Sequence, residues 1–193
     1  MFHATYIKMN HKEGIKDELL VLRCQEGDAA AFEELLERWQ DRLWRHAWRL
    51  TGDEDAAWDA MQETWLNISR DIRRLRSPAA FRAWAYRIAT NKCKDWIRKE
   101  ARTHQAAEHY SEEVSRAEIP QNSLTLKEQS ESLSDAISRL PGKDRTILSL
   151  KYEEDFDIAE IAAILDIPEG TVKSRLHYAR EHLKKILERK KNG

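Results

Sequence analysis

The sequence predicts an all-α protein made of two small helical domains, an N-terminal helical bundle and a C-terminal helix-turn-helix domain, joined by a flexible acidic linker. Three observations predict it. Glycine and proline are scarce, 6 and 4 among 193 residues, while 35% of the chain is charged, a balance that favours helices over tight β-turns. No run of β-branched residues alternates with polar ones, so the strand signature is missing. Apolar residues recur instead at three- and four-residue steps, and the pattern fades only across residues 101–129.

Taken in order, residues 1–16 contain no apolar core of the kind a signal peptide needs, and a disordered extension is expected there. Periodicity begins near Asp17 and strengthens after Gly27-Asp28, where Phe32, Leu35, Leu36, Trp39, Leu43, Ala47 and Leu50 make one amphipathic face. Thr51-Gly52 ends that helix, and Asp53 suits the N-cap of the next. On the second helix Trp58, Met61, Trp65, Ile68 and Ile72 form the expected inward stripe. A basic connection, Arg73 to Ser77, leads to Pro78, a residue at home in a first helical turn. The third long helix is expected to reach about Lys99 with Phe81, Ala85, Ile88 and Trp96 inward, which closes a first domain over residues 17–100.

The linker is expected at residues 101–129. From Gln105 to Glu128 it holds five acidic and two basic residues among Ser, Asn, Gln and one Pro, too polar to bury a core. The second domain follows over residues 130–190. Leu133, Ile137 and Leu140 form a stripe broken by Pro141-Gly142, and Ile147, Leu148 and Leu150 carry the next helix. Asp157-x-x-Glu160 has the form of a capping box and opens a short helix with Ile158, Ile161 and Leu165 inward. Asp166-Ile167-Pro168 is the turn, and the last helix runs from about Glu169 to Glu188.

Net charge is −1, yet its distribution is uneven. Between Leu66 and His104 eleven Lys and Arg face three Asp and Glu, and between Gly170 and Lys191 eight face two. Glu153 to Glu169 holds seven carboxylates and no Lys or Arg. Two basic segments in a near-neutral chain point to two separate contacts with a polyanion. The two cysteines, Cys24 and Cys93, lack CxxC spacing, which speaks against a disulfide scaffold or a zinc knuckle and fits a reducing, cytoplasmic setting. No apolar run is long enough to span a membrane, so no membrane insertion is expected. Neither a Ser/His/Asp set nor a phosphate loop nor paired carboxylates in a cleft can be found, and His104 and His109 are too sparse for a metal site. No enzymatic activity, cofactor or metal is expected.

A short helix, a tight turn and a basic helix are the ingredients of a helix-turn-helix DNA reader. With Val172, Leu176, Ala179 and Leu183 turned inward, Thr171, Lys173, Ser174, Arg175, His177, Tyr178 and Arg180 face solvent or a ligand. Arg and Lys at such positions reach base edges or backbone in a major groove. The pattern alone also fits an autonomous regulator that binds operator DNA without polymerase.

The local motifs are more specific. Leu140-Pro141-x-x-x-Arg145-x-Ile147-Leu148, Glu160-Ile161-Ala162 and Ile167-Pro168-Glu169-Gly170-Thr171-Val172-Lys173-Ser174-Arg175-Leu176-His177 resemble the fourth region of the extracytoplasmic-function sigma factors of the sigma-seventy superfamily. In that family the module binds the upstream, minus-thirty-five, promoter element. Asp166 stands where the family commonly has Gly, and Asp tolerates left-handed angles better than most residues. Tyr178 stands where Arg is frequent, at the expense of one phosphate contact.

Ala57 to Trp65 resembles the family's second region, whose carboxylate and Gln-Glu pair dock on the largest subunit of core RNA polymerase. The resemblance gives that role to Asp55, Asp59, Gln62 and Glu63. Phe81-x-x-Trp84-x-Tyr86-x-Ile88-Ala89-x-Asn91-x-x-x-Asp95-x-x-Arg98 resembles the part of that region which reads and melts the minus-ten element. At 100° per residue Arg87, Asn91, Lys94 and Arg98 share a sector of roughly 60°, suited to lie along a nucleic-acid backbone. The family's base-capturing loop falls on Arg70–Ser77, where Arg74 and Arg76 are the candidate contacts. Trp84 and Tyr86 are candidates either for DNA contact or for packing. The resemblance further implies promoter DNA and an anti-sigma protein as partners, with the acidic linker in the path of nascent RNA.

Overall fold

The computed structural model describes residues 2–107, 133 and 136–191, with side-chain burial defined over 14–101, 133 and 136–188. Every regular element among them is helical. The helices are α1 (Phe2–Glu26), α2 (Ala29–Thr51), α3 (Glu54–Asp71), α4 (Phe81–Ala107), α5 (Gly142–Leu148), α6 (Ile158–Leu165) and α7 (Glu169–Lys191). Two 3₁₀ turns, Ile72–Arg74 and Pro78–Ala80, bridge α3 to α4, and a π turn, Ser149–Glu153, prolongs α5. Contacts cluster into two units, Met1–Ala47 with Glu54–Trp96 and Trp48–Asp53 with Ile97–Gly193. None of the described helices is long and apolar enough to cross a membrane.

In the first unit α2 presents Ala31, Leu35, Trp39, Leu43, His46 and Ala47 to the core. Trp39 meets Phe81 and Tyr86 edge to face, with ring centroids 5.6 and 6.4 Å apart. His46 shares the same layer, its ring 4.9 Å from Tyr86 and its Nε2 2.8 Å from Thr90 Oγ1. Such pairs contribute about 0.5–1.5 kcal/mol beyond area burial. α1 is tied to α2 by Asp17–Arg38 at 2.8 Å and by Lys16–Glu34. Both thiols are buried, and burial pushes Cys93 up to about 12, so it is inert at neutral pH.

Three expectations about the first unit change. Residues 2–16 are part of α1 and not a disordered extension. They contain no proline and only Gly14 as a breaker, so nothing in their backbone stops the helix. α4 continues past Lys99 to Ala107, because Ala101, Arg102, Ala106 and Ala107 are good helix formers. The inward stripe of α3 is Ala56, Ala57, Ala60, Met61, Thr64 and Ile68, whereas Trp58 is 42% exposed and Trp65 only half-buried. Small side chains let α3 approach its neighbours closely, and the two indoles pack at its margins: Trp58 beside Trp44, Trp65 against Phe32. The remainder of the expected linker, residues 108–129, lies outside the described residues.

The second unit is built around Ala136, Leu140, Ile147, Leu150, Phe156, Ile161, Ile164, Val172, Leu176 and Ala179, all buried. Leu133, expected inward, is 45% exposed; Ala136 and Leu140 fill that role. α6 opens with the expected capping box: the Asp157 carboxylate accepts from Glu160 N at 2.7 Å and Glu160 accepts from Asp157 N at 2.8 Å. It ends on Asp166 in the left-handed region (φ 54°, ψ 55°), the conformation the turn demands. Asp144 of α5 and His182 of α7 meet at 2.7 Å and fasten the last helix to the unit.

Candidate functional site

Three surfaces carry the candidate residues. The first is the outer face of α3. Asp55, Asp59, Gln62 and Glu63 are all exposed, on the side of α3 turned away from its buried stripe. At 100° per residue the four fall within an arc of roughly 100°, with Leu66 inside it. Leu66 is 63% exposed, an apolar side chain framed by carboxylates, and sequence reasoning passed over it. Its signal was available: an isolated leucine on a polar helix face has no core to serve. Glu63 is partly neutralised, since Lys92 of α4 reaches it at 3.2 Å. Placing bare charge and one leucine on a convex helix suits a protein partner better than solvent alone.

The second surface is formed by α4 and the connection before it. Arg87, Asn91 and Arg98 are exposed and Lys94 half-exposed along one side of the helix. Trp84 is half-buried at the border of that side, 6.2 Å from the Phe81 ring. Tyr86 must be withdrawn as a DNA contact: it is 1% exposed, packed between Trp39 and His46. Its position follows from the helix wheel, since residue 86 falls on the arc of Ala89 and Cys93. Arg74, at the end of the first 3₁₀ turn, and Arg76, between the two turns, project outward, with the Arg74 side chain 86% exposed. Asp71 lies beneath them, 3.0 Å from Arg70 and 3.8 Å from Arg74, and the Arg70 guanidinium holds its carboxyl below the ordinary range.

The third surface is the front of α7. Val172, Leu176 and Ala179 are buried, which turns Lys173, Ser174, Arg175, His177, Tyr178 and Arg180 outward; Thr171 is half-exposed. Two of these are already engaged at home. The Ser174 hydroxyl donates to Thr171 O at 3.1 Å and Arg180 Nε donates to Leu176 O at 3.1 Å. Lys173 and Arg175 extend outward from the same face. Leu183, expected inward, is half-buried. Among the described residues no group of three His, Cys, Asp or Glu is arranged to hold a metal ion.

Comparison with known proteins gives two family matches along the chain. Residues 35–103 match the family described as Sigma-70 region 2, and residues 130–183 the one described as Sigma-70, region 4. The ECF RNA polymerase sigma factor SigW of Bacillus subtilis is 32% identical over 176 residues, covering 86% of this chain and 94% of that one. The ECF RNA polymerase sigma-E factor of Escherichia coli is 32% identical over 178 residues, 88% of this chain and 93% of that protein. Among solved structures, the sigma factor RpoE of Bartonella quintana, in complex with the anti-sigma factor NepR, superposes with a TM-score of 0.62 at 25% identity over 81% of this chain and 96% of that one. CnrH, in complex with the cytosolic domain of CnrY, gives 0.59 at 23% identity over 90% and 97%, a likeness of fold.

Proposed function

The chain belongs to the extracytoplasmic-function sigma factors of the sigma-70 family, and from that premise we propose how its three surfaces divide the work of promoter selection. The outer face of α3, with Asp55, Asp59, Gln62 and Glu63 around Leu66, docks on core RNA polymerase. The α4 stripe of Arg87, Asn91, Lys94 and Arg98, with Trp84 at its border, lies along the melted minus-ten strand, and Arg74 and Arg76 flank the captured base. The front of α7 reads the minus-thirty-five element as duplex: Lys173, Arg175 and His177 at base edges, Thr171, Ser174 and Arg180 at phosphates.

The observation that carries this reading is the α3 outer face. A self-sufficient operator-binding regulator has a use for the helix-turn-helix and none for an open carboxylate–amide–leucine patch on a second domain. Polymerization chemistry belongs to the polymerase; this chain supplies binding energy and position. Capturing an unstacked base offsets part of the few kcal/mol that unpairing costs. The setting that follows is the cytoplasm, where core polymerase and promoters are. An anti-sigma protein that covers the docking face would hold the chain inactive, in keeping with the complex in which its relative RpoE was solved.

Transcription in vitro with purified core polymerase on genomic fragments tests the reading. Adding the chain is expected to create new start sites that share one upstream and one downstream sequence element. Start sites unchanged by the chain would contradict it.

A further inference from the structure

Gln25 lies in the last turn of α1, and its side-chain amide is spent on a distant loop. Nε2 donates to Ile72 O at 3.0 Å and to Leu75 O at 2.7 Å, carbonyls 47 and 50 positions further along the chain. Both hydrogens of one amide thus hold the two ends of a single turn. That turn is closed by its own bond, Leu75 N to Ile72 O at 3.1 Å, and it carries Arg73 and Arg74, with Arg76 directly after it. α1 packs on both 3₁₀ turns that border the loop.

The mount is itself rigid. α1 ends in paired bonds, Gly27 N to Cys24 O and Asp28 N to Arg23 O, each 3.1 Å, with Gly27 at φ 93°. The Asp28 carboxylate accepts from Arg23 Nε at 2.9 Å and from Ala31 N at 3.1 Å, which locks the corner between α1 and α2. The Ala31 amide, and then Arg23, hold that carboxyl below its ordinary range. A Cβ on Gly27 would stand 3.0 Å from the Arg73 guanidinium, so Arg73 lies across the same corner. The loop is anchored underneath, while Arg74 and Arg76 stand outward.

We propose that Gln25 is a positioning residue for reading the melted promoter strand: its amide holds the Ile72–Leu75 turn in one conformation, so that Arg74 and Arg76 meet the unpaired base preorganised. A loop free to move would have to be ordered at the moment of capture, at an entropic cost that the amide removes beforehand. The inference rests on the reading that this loop faces the melted strand.

The test uses the full chain with core polymerase. Gln25→Glu keeps the shape, loses both donors and sets a carboxylate against two carbonyls; Gln25→Met keeps the length without polarity. Arg74→Ala with Arg76→Ala runs in parallel. For each, open-complex formation is followed by a fluorescent base analogue on promoters with the preferred or a substituted base in the downstream element, and again with the upstream element altered. The Gln25 variants are expected to lose about tenfold in discrimination at the downstream base, from two neutral hydrogen bonds, while upstream discrimination and core affinity hold. An unchanged ratio, with all rates lowered alike, would make Gln25 merely structural and overturn the inference, as would loss of the fold in both variants. If the arginine pair keeps full discrimination, the loop reading itself fails; if the pair loses it and Gln25 does not, the inference alone fails.

Discussion

Replacing Asp59 and Gln62 together by alanine is expected to weaken binding to core RNA polymerase by about 30- to 1000-fold, the range for truncating two central contacts at about 2–4 kcal/mol. The fold should survive, because both side chains are exposed and the helix is held by the alanine stripe on its other side. Alanine is also the better helix former at both positions. Glu63→Ala should do less, since Lys92 already occupies part of that carboxylate at 3.2 Å. Leu66→Ala belongs with the large effects: an apolar side chain 63% exposed on the free chain gains most by being covered. Titration of fluorescently labelled chain with core polymerase measures all three variants. An affinity for the Asp59/Gln62 variant within about threefold of the parent would remove the docking face from the account.

The second large effect is expected at α7. Arg175→Ala should lower transcription from promoters that depend on the upstream element by about tenfold to a hundredfold, the worth of one good base contact at roughly 1–3 kcal/mol. Lys173→Ala should cost less and relax base preference at the position it reads, with the salt dependence little changed. The difference between these two and their neighbours is structural. Ser174 and Arg180 bond to carbonyls of their own helix, and Val172, Leu176 and Ala179 fix which way the helix turns. His182 on Asp144 at 2.7 Å keeps the far half of α7 from rolling. Run-off transcription on promoters with intact and scrambled upstream elements separates the effects. Equal loss on both templates would mean that Arg175 stabilises the unit and does not read DNA.

Much of this was legible in the residues because it is local. The capping box at Asp157 and Glu160 and the left-handed Asp166 follow from side chains a few positions apart, and the structure has both. The outer face of α3 was legible too, since exposed polar residues at helical spacing need no knowledge of what lies behind them. What lies behind them is not local: the bulk of Trp58 and Trp65 predicts a tryptophan core for α3, yet close packing of helices favours Ala56, Ala57 and Ala60 there and leaves Trp58 at the surface. At Tyr86 the motif leaves both packing and DNA contact open, and the helix wheel, which puts it on the arc of Ala89 and Cys93, decides for packing. The Gln25 clamp was out of reach for another reason: nothing in the sequence near Gln25 announces carbonyls 47 and 50 positions away.

The central claim is that two short DNA-reading surfaces become specific only when core polymerase holds both to one promoter. Alone, each module has the weak, salt-sensitive affinity of nonspecific binding, with Kd about 10⁻⁴–10⁻⁶ M, and a long connection adds little effective concentration. Footprinting a promoter with the chain alone and with the chain plus core polymerase is the most direct measurement. The account predicts no protection by the chain alone at nanomolar concentration, and protection of both elements, with an open downstream strand, once core is added. Sequence-specific protection of both elements by the chain alone at that concentration would contradict it.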